Sequence, residues 1–197
     1  MKLVNDQTLD PESDSVDGTF PATLQYLFST YTHKGKYDDE VLAFTYTAGF
    51  TEYGLLNSYT INGMVIASQT TDYRCFMDCD TSDFTVDASS HLQIPSGTSS
   101  ENLQRAFTFY SIACKYVIRR RLFIMNDDTL GLGPLAMRPG DNVVILFGRG
   151  VPYVLRPTGD NLHYRFVEEC YVHRVMDGSA VRDWRESGVP SMDFHIF

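Results

Sequence analysis

The chain has 197 residues, and its 25 acidic side chains outnumber 16 basic ones to give a net charge of −9. With 43% hydrophobic and 13% aromatic residues, it is typical of a folded domain, with or without a helical subdomain. A net negative surface repels nucleic-acid phosphates, and no apolar run approaches the roughly 18 residues that span a bilayer. We therefore expect neither a nucleic-acid partner nor membrane insertion.

The first 18 residues are acidic and carry few apolar side chains, which predicts a disordered acidic tail over 1–18. Lys2 is followed by no apolar segment, so this start does not resemble a secretory signal. Four cysteines in a chain of this size need not form disulfides, and core filling is their expected role. We therefore expect reduced thiols and a cytoplasmic location.

Residues 19–118 are predicted to be mainly helical. Apolar residues at helical spacing predict a helix that begins near Pro21. Its apolar face consists of Leu24, Leu27, Phe28 and Tyr31. A second helix is predicted to begin at Asp38, whose carboxylate can cap it, although the following segment 45–47 suits a strand equally well.

Two readings stay open for residues 57–69. Asn62-Gly63 between apolar segments is typical of a hairpin turn, and a helix is the alternative. The segment 77–100 is rich in Asp, Ser, Thr and Gly, which predicts a polar surface loop. A long helix to residue 118 is expected after it, because Thr98 and Glu101 have the spacing of a capping box.

Residues 119–197 are predicted to form a β-barrel domain with a short helix over 179–187. Extended segments separated by Gly and Pro turns are expected at 120–125, 142–148, 151–156, 163–173 and 192–197. Both faces of 142–147 are apolar, which indicates a strand covered on two sides. The predicted fold class is therefore α+β, with the helical N-terminal part packed on a small antiparallel C-terminal β-barrel.

Motifs of catalysis and of cofactor or metal binding are absent from the sequence. No nucleophile elbow or Walker lysine occurs, and Gly131-Leu132-Gly133-Pro134 is interpreted as a turn leading into the barrel. Cys75 and Cys79 could share a helix face, but no second pair stands at zinc-finger spacing. Cys170 and His173 would face opposite ways on a strand. We therefore predict a protein that is not an enzyme and has no cofactor.

Three residues remain as candidates for ligand binding, namely Arg156, Tyr171 and His173. Arg156 follows an apolar strand, and arginine is well suited to holding a carboxylate or phosphate. The favoured alternative is an internal pair of Arg156 with Asp141, Glu169 or Asp177. Tyr171 and His173 would share one strand face with Glu169.

Several short motifs occur in order between residues 120 and 178. They are RRLF, GLGP, RPGD followed by an apolar strand, VPYVLRP, YVH and MDG. This series resembles the C-terminal β-barrel region of fungal heterokaryon-incompatibility proteins. In that family a Gly-Glu pair usually precedes the YVH strand, whereas this chain has Glu168-Glu169. Glu168 would point into the barrel unless a bulge turns it outward.

The resemblance implies a role without catalysis. It covers the barrel and not the N-terminal incompatibility domain, which acts in non-self recognition and programmed cell death. We therefore expect a separated barrel half that acts as a recognition or regulatory module, with an incompatibility effector domain as its possible protein partner. The alternative is a small-molecule or anion sensor that uses the barrel mouth, with Arg156 as the anion anchor.

Overall fold

The computed structural model describes residues 37–51, 54–55, 63–79, 85–86, 92–93, 101–117, 119–159, 163–176 and 178–197. The predicted acidic tail, the helix near Pro21 and the cap at Thr98 lie outside these ranges. Helices and β-sheets are both present, so the predicted α+β class is confirmed.

The described residues of the N-terminal part include three helices, α1 (Asp39–Tyr46), α2 (Gly63–Asp78) and α3 (Glu101–Val117). The predicted start of α1 is confirmed, because an Asp38 side-chain oxygen accepts a hydrogen bond of 2.9 Å from the amide of Val41. For residues 57–69 the helical reading is confirmed from Gly63 onward, and a hairpin at this glycine is wrong. The helix is favoured because Gln69, Tyr73 and Phe76 recur at helical spacing on a buried face.

Aromatic rings hold the three helices together. The Tyr73 ring lies 6.5 Å from Tyr46 and 5.3 Å from Phe109, and Phe76 lies 5.5 Å from Phe109. The buried Gln69 amide donates to the Thr47 hydroxyl at 3.1 Å, so its polar group is satisfied inside this core. The helical core is therefore built from large side chains that are almost fully buried.

Short antiparallel strands connect the helices. The strand β1 (Phe50–Thr51) pairs with β2 (Gly54–Leu55), and β3 (Thr85–Val86) pairs with β4 (Leu92–Gln93). The prediction of a loop over 77–100 is therefore wrong in two respects. The helix α2 continues to Asp78, and two strands pair within the segment.

The first C-terminal sheet has the strand order β10-β6-β5, formed by β10 (Tyr171–Val172), β6 (Leu130–Pro134) and β5 (Arg120–Ile124). The turn predicted at GLGP is wrong, because these residues lie in the fully buried strand β6. A Cβ atom at Gly131 would lie 2.7 Å from the Tyr171 carbonyl oxygen, so the glycine allows close packing between strands.

The second C-terminal sheet has the strand order β11-β9-β8-β7. It consists of β7 (Asn142–Ile145), β8 (Pro152–Pro157), β9 (His163–Glu169) and β11 (His195–Ile196). The predicted antiparallel pairing is confirmed from β7 to β9, whereas β11 pairs parallel with β9. The helix α4 (Ser179–Ser187) precedes β11. The described strands form separate sheets, so the predicted closed barrel is not found.

The predicted single strand over 163–173 is divided between these two sheets. It breaks at Cys170, because β9 pairs with β8 whereas β10 pairs with β6. The register of β9 shifts between Val154 and Leu155 of β8, which places a bulge opposite that point. The chain therefore crosses from the four-stranded sheet to the three-stranded sheet within a few residues.

Buried side chains form three clusters. The first joins the helices to Leu122, Leu130 and Leu132 of the three-stranded sheet. The second joins the two sheets and contains Phe123, Met125, Met137, Val143, Val154, Cys170 and Val172. The third lies on the other face of the four-stranded sheet and contains Val144, Leu155 and Tyr164. Val143 and Val144 are both buried, which confirms that this strand is covered on two sides.

Candidate functional site

Arg156, the first predicted ligand residue, forms an ion pair inside the protein. Its Nε donates to one Asp141 oxygen at 2.7 Å, and its Nη2 donates to the other at 2.8 Å. Nη2 also donates to the carbonyl of Ala136 at 2.6 Å. These bonds raise the pKa of Arg156, chiefly through the hydrogen bond to Asp141. The predicted internal pairing with Asp141 is therefore confirmed.

The sequence RPGD explains how Asp141 reaches this position. The Asp141 amide donates to the Arg138 carbonyl at 3.1 Å, and Gly140 has a φ of 93°, so these residues form a tight turn. The carboxylate also accepts the Arg138 amide at 2.7 Å. The turn thus places the buried Asp141 carboxylate within reach of Arg156, as expected of an ion pair with a structural role.

Tyr171 and His173, the other two predicted residues, lie together at a different place. The Tyr171 hydroxyl is 3.2 Å from Nδ1 of His173, and Nε2 of His173 is 3.9 Å from a Glu40 oxygen. The Phe44 ring centroid lies 5.9 Å from that of His173. This group therefore links the end of β10 to α1 and has no hydrogen bond or ion pair in common with Arg156.

The surroundings of this pair keep both side chains neutral. Burial lowers the pKa of His173 to about 4, helped by the neighbouring Arg174 guanidinium. Burial likewise raises the pKa of Tyr171, with a further contribution from Glu40. The Glu40 carboxylate is at the outer limit of ion-pair distance and is partly hydrated, so burial dominates at His173.

Glu169 does not share a site with Tyr171 and His173, contrary to the prediction. It lies in β9 opposite Tyr153, and its carboxylate is 3.8 Å from the Arg120 guanidinium. The chain crosses between the sheets after Glu169, which separates these side chains. The acidic neighbour of His173 is Glu40 of α1, a contact that no sequence spacing indicates.

Glu168 points outward. Its side chain is 53% exposed and lies 3.2 Å from the Arg120 guanidinium. The sequence allows for a bulge that turns Glu168 outward. Such a bulge is present in β9, where the alternation of side chains shifts between Phe166 and Glu168. The charge therefore causes no burial cost inside the sheets.

Two pairs of aromatic side chains involve the four-stranded sheet and its β7–β8 connection. Phe147 is 58% exposed in the β7–β8 connection, and Phe166 of β9 is 47% exposed. The Phe147 ring lies 4.7 Å from Trp184 of α4, and Phe166 lies 5.4 Å from Tyr153 of β8. We call these four residues the aromatic surface. Large apolar side chains displayed in this way are typical of protein contact sites.

A family model described as the Het-6 beta-barrel domain matches residues 33–187. The chain belongs to this family. The matched range includes α1, α2 and α3 as well as strands β5 to β10 of the C-terminal sheets, so the Het-6 domain is broader than the segment 120–178 that carries the sequence motifs. The aromatic surface lies entirely within it.

One curated relative extends the comparison. The chain is 34% identical over 82 residues to heterokaryon incompatibility protein 6, OR allele, of Neurospora crassa. The match covers 40% of this chain and 12% of that protein, so the chain corresponds to a small part of its relative. No solved structure matches the chain.

The Het-6 domain offers few groups for chemistry in its described ranges. No group of three or more His, Cys, Asp and Glu side chains there could hold a metal ion. Burial raises the pKa of both Cys114 and Cys170 to about 12, so these thiols stay protonated and are weak nucleophiles. No described helix is both long and apolar enough to cross a membrane.

Sequence reasoning missed the aromatic surface. Phe147 ends an apolar stretch and precedes Gly148-Arg149-Gly150, a turn that projects from the sheet. The position could have indicated an exposed ring. Trp184 could not have been assigned from the sequence, because its contact with Phe147 depends on where α4 lies.

Proposed function

We propose that this Het-6 domain is a recognition or regulatory module of heterokaryon incompatibility. It binds a protein partner, the effector domain of an incompatibility protein, and takes part in non-self recognition that leads to programmed cell death. Membership in the Het-6 family carries the proposal. The name of the Neurospora crassa relative supports it.

The aromatic surface is the contact site that we assign to this partner. Trp and Tyr are enriched among the residues that dominate binding energy, and Phe147 and Phe166 provide exposed apolar area beside them. Leu155 and Tyr164 are buried beneath this face, so the rings stand on a packed base. A rigid apolar surface loses little side-chain entropy when it binds.

We assign no reaction to the chain and place it in the cytoplasm. The high pKa values of Cys114 and Cys170 support the absence of thiol catalysis. None of the four cysteines forms a disulfide, which supports a reducing compartment. The proposal therefore concerns binding alone.

The test measures binding between this chain and a purified incompatibility effector domain. Replacing Phe147 and Phe166 by Ser should weaken binding at least about tenfold, because two apolar anchors are lost. Met77→Ser is the matched control, since Met77 is exposed on α2 away from the aromatic surface. Equal binding of the double variant and the wild type would refute the assigned surface. Absence of binding to every effector domain tested would refute the partner.

A further inference from the structure

Two arginine side chains contact the turn that follows β6. The Nη1 atom of Arg121 donates to the Met137 carbonyl at 3.1 Å, and Nη2 of Arg156 donates to the Ala136 carbonyl at 2.6 Å. These carbonyls belong to consecutive residues. The three-stranded sheet, through Arg121, and the four-stranded sheet, through Arg156, therefore present guanidinium groups to the same turn.

Two further arginines are neighbours of these residues in the sheet or in the chain. Arg165 of β9 lies directly opposite Arg156 of β8, a position where like charges repel. Arg138 belongs to the turn itself, and its amide donates to Asp141. Arg138 and Arg165 are both exposed, and within the described residues neither side chain forms an ion pair. We call Arg121, Arg138, Arg156 and Arg165 the arginine cluster.

Among the described residues, the carboxylates near the arginine cluster do not balance its positive charge. Asp141 is the carboxylate that pairs with the cluster in the described part of the chain, and its oxygens are engaged by Arg156 and the Arg138 amide. The Nε of Arg121 is buried and has no hydrogen-bond partner among the described residues. A buried guanidinium nitrogen without an acceptor is unfavourable. Among the described residues, positive charge is thus in excess at this cluster, in a protein with a net charge of −9.

We propose that the arginine cluster binds a small, multiply charged oxyanion of the phosphate class. Guanidinium groups bind phosphate oxygens through paired hydrogen bonds, and several of them match a group with more than one negative charge. Asp141 holds Arg156 in place, and the exposed Arg138 and Arg165 provide the contacts that are free to reach the anion. This site is separate from the aromatic surface and does not depend on the protein partner.

The first experiment is calorimetric titration of the full chain with inorganic phosphate and with pyrophosphate, at an ionic strength kept constant with sodium chloride. We expect saturable binding that is tighter for pyrophosphate. Arg138→Gln and Arg165→Gln should each raise the Kd about tenfold, since each removes a charged hydrogen bond. Arg149→Gln is the matched control, because Arg149 is exposed beyond the opposite end of β8. It should change the Kd less than twofold.

A second measurement separates anion binding from a structural role. In buffer without multivalent anions, Arg165→Gln should raise the Tm, because it removes the repulsion with Arg156. In saturating pyrophosphate the order should reverse, with the wild type melting above the variant. Circular dichroism confirms that each variant is folded.

Three outcomes would overturn the proposal, and a fourth, with acetate, would overturn its choice of anion. The first is absence of saturable binding of phosphate and pyrophosphate. The second is an equal loss of binding in Arg149→Gln, which would indicate nonspecific attraction. The third is a Tm of Arg165→Gln below the wild type in both buffers. Acetate serves as the single-charge probe, and binding of acetate as tight as that of phosphate would refute the assignment to multiply charged anions.

Discussion

The helical region and the four-stranded sheet use aromatic residues in opposite ways. Around the helices, Tyr46, Tyr73 and Phe109 are almost fully buried and contact one another. On the four-stranded sheet, Phe147 and Phe166 form ring contacts while about half of each remains exposed. The same residue type therefore stabilises the first region and is displayed by the second, which is why we assign recognition to the sheet.

The largest expected effect comes from the helical core. Phe109→Ala should reduce the free energy of unfolding by about 3–5 kcal/mol, because it leaves a cavity between Tyr73 and Phe76. Phe166→Ala removes the same ring from the exposed sheet face and should cost less than about 1 kcal/mol. Urea denaturation of both variants measures the difference. Similar losses would show that the two regions do not differ as proposed.

The second prediction concerns the polar link between α1 and β10. The pKa of His173 is about 4 in the folded protein and about 6.5 in an unfolded chain, so the unfolded state binds more protons between these pH values. The free energy of unfolding should therefore fall as the pH is lowered from 6.5 to 4, by up to about 3 kcal/mol. Above pH 6.5 this histidine should contribute no pH dependence.

Variants of two histidines test this prediction by urea denaturation across pH 4 to 7. His173→Gln should remove most of the His173 contribution to the slope. His163→Gln is the matched control, a histidine of the four-stranded sheet that packs beside Phe197, and its slope is measured alongside that of His173→Gln. An unchanged slope in His173→Gln would contradict the assignment.

The sequence predicted what local patterns determine. The cap at Asp38 and the long helix α3 depend on residues close together in the chain, and both are confirmed. An internal ion pair of Arg156 was also predicted, with Asp141 as one of three possible partners, and the structure selects Asp141.

The sequence could not predict features set by packing between distant segments. Gly131 lies in a strand, whereas the sequence predicts a turn there. The glycine is required by the close approach of Phe123 and Tyr171, which come from other strands. The break at Cys170 depends on β10 pairing with β6 in the other sheet. The contact of Glu40 with His173 likewise joins parts of the chain that no spacing relates.

The smallest expected effect tests the aromatic surface itself. The helix α4 has no buried residues, so Trp184→Ala should lower the free energy of unfolding by less than about 1 kcal/mol. The variant loses its contact with Phe147 and part of the apolar area that we assign to the partner. Binding to the effector domain should therefore weaken while the urea midpoint stays almost constant. A large loss of stability would instead mean that Trp184 anchors α4 to the sheet, and the two regions would then use their aromatic residues in the same way.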